Sequence, residues 1–179
     1  MRYPEGHSEH VRARIVEAAS RALRREGLAA VSIPKLMKLV GLTHGGFYVH
    51  FRDRDELVAE AITHGESALS GDAPAADAFA RYLSPEHLRH PELGCVIAAL
   101  GVEGARQRGP VRRAFAEAAL KLLRAVERKL HPKAAAGALS DEALATASRI
   151  VGAVVLARLV QDEALAQRLL DSAKARVGR

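Results

Sequence analysis

Two adjacent glycines, two histidines and a tyrosine occur within the eleven residues GLTHGGFYVHF at 41–51. Glycine inside a helix costs about 1 kcal/mol relative to alanine, so the pair Gly45 and Gly46 serves a purpose other than helix stability. Because glycine has no Cβ, the backbone at these positions can approach a ligand closely. The Tyr48 hydroxyl can donate to a phosphate, and His44 can donate to a phosphate or a base edge. This chemistry indicates a contact with DNA; the alternative is a tight crossing of two helices inside the protein.

The stretch 32–51 predicts two short helices joined by a glycine-containing turn. Ser32 is a suitable N-cap for the first helix, Gly41 ends it after about two turns, and Thr43 can cap the second. This arrangement matches the helix-turn-helix unit, which places its second helix in the major groove of DNA. The apolar side chains expected to pack inward, against Ile15 and Ala19 of a preceding helix, are Leu36, Met37, Val40, Leu42, Phe47 and Phe51.

The remaining helices are predicted from capping residues and apolar spacing. Ser8 can cap a first helix that stops at Gly27, and Asp53 with Glu56 forms a capping-box pattern for a fourth. A small, polar stretch at 67–77 is the best domain boundary. Beyond it, helical spacing predicts helices at roughly 75–83, 94–105, 110–131, 140–159 and 162–176.

Composition supports the same fold class. Of the 179 residues, 49% are hydrophobic, mostly Ala, Leu and Val, and only 4% are aromatic. This composition favours packed helices. We predict an all-α protein with a helix-turn-helix domain of three helices at 1–66 and a helical bundle for ligand binding and dimerisation at 67–179. The net charge of +6 suits a polyanionic partner. Residues 1–65 hold 10 Lys and Arg against 8 Asp and Glu, so the positive excess is not concentrated in this segment.

Other classes of protein find little support in the sequence. It contains no nucleotide-binding glycine motif, no zinc-protease motif and no nucleophile elbow, so we predict that it is not an enzyme and has no cofactor. The pairs His87/His90 and His7/His10 lack the partners of a metal site, and we expect solvated loop histidines. One cysteine and apolar runs far shorter than the ~20 residues of a membrane helix lead us to expect a cytoplasmic protein without a membrane segment.

The span 15–62 resembles the N-terminal domain of the TetR/AcrR (tetracycline-repressor) family of transcriptional regulators. The matching features are EAA and REGL in the first helix, GLT at the turn, FYVHF, and the following RDRDEL. The resemblance implies an all-helical homodimer whose larger C-terminal domain binds a small molecule and thereby controls affinity for a DNA operator.

The resemblance also implies roles for individual residues. Tyr48 matches a tyrosine that contacts phosphate, and Arg54 stands where the family usually has a phosphate-binding lysine. Pro34 lies where relatives often carry a polar or basic contact residue, so DNA shape is expected to contribute to specificity. The full set of predicted DNA-contacting residues is Ser32, Lys35, Thr43, His44, Gly45, Gly46, Tyr48, His50 and Arg54.

Residues of the C-terminal part have two interpretations each. The candidates for a ligand pocket, or for core packing, are Tyr82, Leu83, Cys95, Leu100 and Phe115. The candidates for a helix–helix dimer seam, or for the bundle core, are Ile150, Val151, Val154, Val155, Leu165 and Leu169. Cys95 is either a small apolar filler or, at a helix start, a thiol that reacts with oxidants and electrophiles.

These observations predict a homodimeric repressor that responds to a small-molecule effector. Each subunit would place one recognition helix in a half-site of a palindromic operator, in successive major grooves of double-stranded DNA. Alternatives within the same architecture are an activator, an architectural DNA-binding protein, and a redox or electrophile sensor that uses Cys95. A helical-bundle enzyme is the alternative from another class.

Overall fold

The computed structural model describes residues 7–64, 69, 71–135 and 137–177. Secondary structure in these ranges is helical, and no strand occurs among the described residues, so the all-α prediction is confirmed. The α-helices are α1 His7–Glu26, α2 Ile33–Leu39, α3 Phe47–His50, α4 Arg54–Thr63, α5 Ala75–Tyr82, α6 Pro85–Arg89, α7 Val96–Ala105, α8 Gly109–Leu130, α9 Asp141–Leu159 and α10 Glu163–Lys174. Single 3₁₀ turns lie at Leu28–Ala30, His44–Gly46 and Pro91–Leu93.

The chain divides into two compact units. The first unit contains residues 1–65 and 100–116, and the second contains residues 66–99 and 117–179. The predicted boundary at 66/67 lies within one residue of the first division, but 100–116 also cluster with the N-terminal residues. The assignment of a separate role to each unit remains a prediction.

Local capping explains where the helices of the first unit begin. Ser32 Oγ accepts the Lys35 N–H at 3.3 Å, and Thr43 Oγ1 accepts the Gly46 N–H at 3.3 Å. Asp53 Oδ1 accepts an N–H at 2.8 Å, as predicted. The predicted cap at Ser8 is wrong, because this residue lies inside α1.

The core of the first unit lies between α1, α2, α3 and α4. Ile15, Ala19, Met37 and Phe47 are fully buried, and Phe51 is nearly so. These are members of the predicted inward-facing set, and Leu36 is buried with them, whereas Val40 and Leu42 are only half-buried. A turn at Gly41, whose φ is +74°, separates α2 from Thr43 and so allows α3 to pack across it.

The second unit is a helical cluster in which α9 packs along α10. Its fully buried side chains include Tyr82, Leu83, Ile150, Val154 and Leu170. Helix α6 was not predicted, although Ser84 followed by Pro85 is a helix-start pattern and the Ser84 Oγ accepts the His87 N–H at 3.2 Å.

Candidate nucleic-acid interface

The stretch from Thr43 to Tyr48 presents its polar side chains outward. Phe47 and Phe51 are buried and stack on one another with ring centroids 5.4 Å apart, which fixes the orientation of α3. Because α3 has only four residues, the positions between these two anchors must project away from the core. Tyr48 is accordingly 58% exposed, and Thr43 and His44 are exposed as well.

The glycine pair is not required by the packing of the protein. A Cβ added at Gly45 would meet no described atom within 4 Å, and one at Gly46 would lie 3.6 Å from Thr43 Oγ1, an ordinary contact. Gly46 has φ −63° and ψ −19°, a conformation open to any residue. The alternative of a tight interhelical crossing is therefore wrong: open space faces Gly45, and Gly46 has only ordinary contacts.

His44 and Tyr48 lie side by side on this surface. Their rings meet edge to face with centroids 5.7 Å apart, so both polar groups face the same exposed region. His50 is half-buried beside Phe51, and its carbonyl accepts the Arg12 Nε–H at 3.3 Å. Val49 was not among the predicted contacts, although it is 76% exposed on the outward side of α3.

Ser32 and Lys35 lie at the start of α2, and both are exposed. The Lys35 ammonium forms an ion pair with Glu26 at 3.0 Å. Hydrogen bonds from Arg25 and then Lys35 lower the pKa of the Glu26 carboxyl. Lys35 thus has a carboxylate partner that a phosphate would have to displace, and such exposed pairs are weak in water.

Arg54 has a structural role that the resemblance did not imply. Its Nε–H donates to the Val31 carbonyl at 2.8 Å, and its Nη2 donates to the Leu28 carbonyl. The guanidinium therefore holds the connection between α1 and α2 against the start of α4. In this structure Arg54 is a positioning residue, and the predicted phosphate contact remains a hypothesis.

Two other positioning residues could not be found from the sequence. Arg12 of α1 pairs with Glu60, lies 3.6 Å from Glu56, and stacks its guanidinium over the Phe51 ring at 4.5 Å. Glu103 of α7 accepts the Leu28 N–H at 2.9 Å. Both depend on partners distant in sequence, which no local pattern indicates.

The five pocket candidates are all buried. Leu100 and Phe115 belong to the first unit, where a Cβ at Gly104 would lie 2.5 Å from Phe115, so this ring is closely packed. Tyr82 and Leu83 are fully buried in the core of the second unit. Cys95 lines a cavity of about 160 Å³.

The dimer-seam candidates fall into two groups. Ile150 and Val154 have no exposed surface, so they belong to the core of the protomer and the seam prediction is wrong for them. Val151, Val155 and Leu169 are half-buried against the same core, and Leu165 is 39% exposed.

The expectation of a solvated loop histidine is wrong for His87. This side chain is buried, and its Nδ1 lies 2.6 Å from the Tyr82 carbonyl. Its Nε2 accepts the Cys95 N–H at 3.0 Å. His87 therefore ties α6 to the start of α7. His7 has no described side chain, and no cluster of metal-ligating residues occurs in the described ranges.

None of the helices in the described part of the chain is long and apolar enough to cross a membrane.

Comparison with known proteins finds a family match for the N-terminal helices. Residues 15–61 match the family model described as bacterial regulatory proteins, tetR family. The regulator TtgR of Pseudomonas putida is 36% identical over 78 residues, which cover 41% of this chain and 37% of TtgR. The chain thus spans little more than a third of the length of this relative.

Solved structures of similar fold cover nearly the whole chain. A TetR-family regulator from Cytophaga hutchinsonii superposes with a TM-score of 0.71 at 17% identity, over 97% of this chain and 96% of the other. FadR of Bacillus subtilis, solved in complex with stearoyl-CoA, gives a TM-score of 0.57 at 15% identity, over 93% and 98%. At these identities the likeness concerns the fold. Residues 15–61 are thus similar to the N-terminal domain of tetR-family regulators, and the chain as a whole shares the fold of solved structures of such regulators.

Proposed function

We propose that this protein is a transcriptional repressor that binds a palindromic operator as a homodimer and releases it when a small-molecule effector binds. The observation that carries the proposal is the exposed surface formed by Thr43, His44, Gly45 and Tyr48. The surface offers hydroxyls, an imidazole and, at Gly45, a backbone that no side chain covers. The short helix is held in place by the buried rings of Phe47 and Phe51 on its opposite side. DNA is the ligand that this combination suits, because phosphates and base edges accept such donors.

Charge distribution supports the same partner. Residues 1–65 have a net charge of +2, and residues 100–116 add four arginines and one glutamate, a net of +3. The first unit therefore carries +5 of the +6 of the chain. Those arginines, Arg106, Arg108, Arg112 and Arg113, are exposed, so the basic excess belongs to the unit with the helix-turn-helix stretch.

Dimerisation is proposed through one side of α9. Small or apolar residues that keep exposed surface recur along this side at helical spacing, and they are Leu144, Val151, Gly152, Val155, Leu156 and Leu159. Leu159 is 72% exposed, and a Cβ added at Gly152 would meet no described atom within 4 Å. A second copy related by a two-fold axis can cover this surface with its own equivalent, as in most homodimers.

The response to an effector is proposed from the family and from relatives. FadR, which shares the fold, has been solved in complex with stearoyl-CoA. By analogy, we propose that this chain also binds a small molecule through residues beyond the helix-turn-helix stretch. Titration would test the point, because an effector must lower affinity for the operator when it is added.

The DNA contact is tested by selecting fragments from a random pool and then titrating variants by gel shift at fixed salt. Tyr48→Phe removes one phosphate hydrogen bond from each of the two subunits, at about 1 kcal/mol per bond, so we expect roughly 30-fold weaker binding to every sequence. His44→Ala is expected to change the preference among sequences instead. Tyr82→Phe is the matched control, because it removes a hydroxyl from the core and should leave affinity unchanged. Unchanged titrations for both surface variants would mean that the site is misassigned.

A further inference from the structure

We propose that a cleft between α1 and α2 binds medium-sized organic carboxylates that have an apolar body. The site lies wholly within the first unit and is additional to the effector site proposed above. Its effect on DNA binding rests on the proposed function, because it acts through a predicted DNA contact. Three features carry the proposal: the size of the cleft, its apolar floor and the excess of positive charge on its walls.

The cleft forms where the chain turns from one helix into the next. Helix α1 ends at Glu26, Gly27 turns the backbone with φ +89°, and α2 then packs beside α1. The space left between the two helices has a volume of about 450 Å³. Pockets for small molecules usually measure ~300–1,000 Å³, and benzene occupies a cavity of ~150 Å³. The cleft therefore has room for two fused rings, or for a chain of similar volume, together with an acid group.

The floor of the cleft is apolar. Val31 and Leu36 are 2% and 3% exposed, and the half-buried Ala22 lines the same space. At the edge, Leu39 is 68% exposed although it also lines the cleft. An apolar body lying on this floor would cover Leu39, and the removal of this surface from water favours binding.

The walls of the cleft carry an excess of positive charge. Arg25, Lys35 and Lys38 line it, against the one carboxylate of Glu26, so the net charge of the walls is +2. Both oxygens of this carboxylate are engaged, because Oε1 accepts from Arg25 at 2.7 Å and Oε2 accepts from Lys35 at 3.0 Å. The Lys38 ammonium has no carboxylate partner in the described part of the chain. These walls suit an anion and disfavour a cation.

Lys35 and Lys38 provide the place for the acid group. They are three positions apart on α2, so they lie on the same side of this helix, and Leu39 is one turn beyond Lys35. Like charges at this spacing repel each other, and a carboxylate bound between them removes the repulsion. A carboxylate at this position meets two ammonium groups while the attached apolar body reaches Leu36 and Leu39.

A small amphipathic acid suits the cleft better than other occupants do. Inorganic phosphate would use the cations but would leave the floor and Leu39 in water. A neutral aromatic compound would cover the floor but leave the charge of the walls uncompensated. A helix of another protein needs a groove that holds several turns, whereas α2 has only seven residues.

An acid in this cleft would act on DNA binding through Lys35. Ser32 and Lys35 are exposed at the start of α2, and both belong to the predicted DNA contacts. A carboxylate bound at Lys35 cancels positive charge that a DNA phosphate would otherwise meet, and it repels the phosphate. The organic acid and DNA are therefore expected to compete.

The experiment titrates the full chain with 2-naphthoate by calorimetry. Decanoate is the second acid, which distinguishes an aliphatic from an aromatic ligand, and 2-naphthalenemethanol is the neutral analogue. We expect one naphthoate per chain, at least ten-fold weaker binding of the alcohol, and an affinity for naphthoate that falls with added salt.

Two variants test the position of the site. Lys38→Glu reverses a charge on the wall and should weaken naphthoate binding at least ten-fold, whereas Lys121→Glu, at an exposed lysine of α8, should not. Leu39→Ser removes the apolar edge and should weaken binding several-fold. Val102→Ser is the matched control for it, because Val102 is 69% exposed on α7 and does not line the cleft. All four side chains are exposed, so the variants should fold.

Gel shift with a selected DNA fragment tests the competition. Naphthoate should weaken DNA binding by wild type and should have much less effect on Leu39→Ser at the same concentration. In the absence of naphthoate, Leu39→Ser should bind DNA as wild type does, because Leu39 is not a predicted contact.

Each outcome has a separate meaning. If neither acid shows saturable binding up to millimolar concentration, or if both cleft variants bind naphthoate as wild type does, the proposed site is overturned. Equal binding of the neutral alcohol would overturn the assignment to acids. Naphthoate binding that leaves DNA binding unaltered would overturn the competition. A chain that binds no selected DNA would contradict the proposed function, whereas calorimetry would still decide whether the cleft binds the acid.

Discussion

The imidazole of His87 has its protonation state fixed by two neighbours. Nε2 accepts the Cys95 N–H, so this nitrogen cannot carry a proton, and Nδ1 therefore donates its proton to the Tyr82 carbonyl. Burial lowers the pKa of His87 and the charge of Arg158 lowers it further, while the Tyr82 carbonyl opposes both. The folded chain consequently holds this histidine neutral.

We therefore expect stability to depend on pH through His87. In the unfolded chain the pKa of His87 is about 6.5, whereas in the folded chain it is lower. The stabilising contribution is thus complete above ~6.5 and is lost as the pH falls from there toward the lowered pKa. Urea unfolding between pH 5 and 8 tests this, with His87→Gln as the variant that cannot titrate. If its stability changes with pH as steeply as that of wild type, the assignment is wrong.

Two glycines are expected to respond in opposite ways to the same substitution. A Cβ at Gly94 would lie 2.3 Å from His87 Cδ2, so Gly94→Ala should lower the free energy of unfolding by about 1–3 kcal/mol. Gly45 faces open space, so Gly45→Ala should leave that free energy equal or slightly raised. Gel shift should nevertheless show at least ten-fold weaker DNA binding for Gly45→Ala. Normal DNA binding by this variant would remove the reason given for the glycine.

At the scale of elements, local signals in the sequence were enough to locate most helices. Caps at Ser32, Thr43, Asp53 and Ser140 depend on residues three positions apart, and all four are present in the structure. The hydrogen bonds and ion pairs that join the elements depend on distant partners, and sequence patterns do not indicate them. The candidate site shows the same division. The exposed polar surface of 43–48 was predicted, whereas the inward orientation of Arg54 depends on the Val31 and Leu28 carbonyls.

Glu103 provides a test at this scale, because it joins α7 to the connection before α2. Glu103→Ala leaves the Leu28 N–H without its acceptor, so the free energy of unfolding should fall by about 1–3 kcal/mol. The glutamine variant keeps an acceptor oxygen and should recover most of this loss. Affinity for DNA should follow the same order among the three proteins. Equal stability of Glu103→Ala and wild type would show that the hydrogen bond is not formed in solution.

At the scale of the whole molecule, we predict that a charge placed on the proposed contact surface of α9 prevents dimerisation. A glutamate at position 155 would bury two charges in the proposed two-fold contact of α9, so Val155→Glu should sediment as a monomer. Val102→Glu is the control for an added glutamate, because Val102 is an exposed apolar side chain on α7, whereas Val155 is half-buried. Loss of operator affinity should accompany dissociation, since one subunit would contact only one half-site. A Val155→Glu protein that remains a dimer would exclude this surface.

Phe47 and Phe51 anchor α3, whereas the positions between them face outward. This division of roles has a consequence for the evolution of the protein. If the proposed DNA contact is correct, substitutions at His44, Gly45 or Tyr48 would alter what the surface recognises, while the anchoring pair and the caps keep the backbone in place. A lineage can therefore acquire a new target without passing through unstable intermediates. An engineer can use the same three positions to retarget the protein.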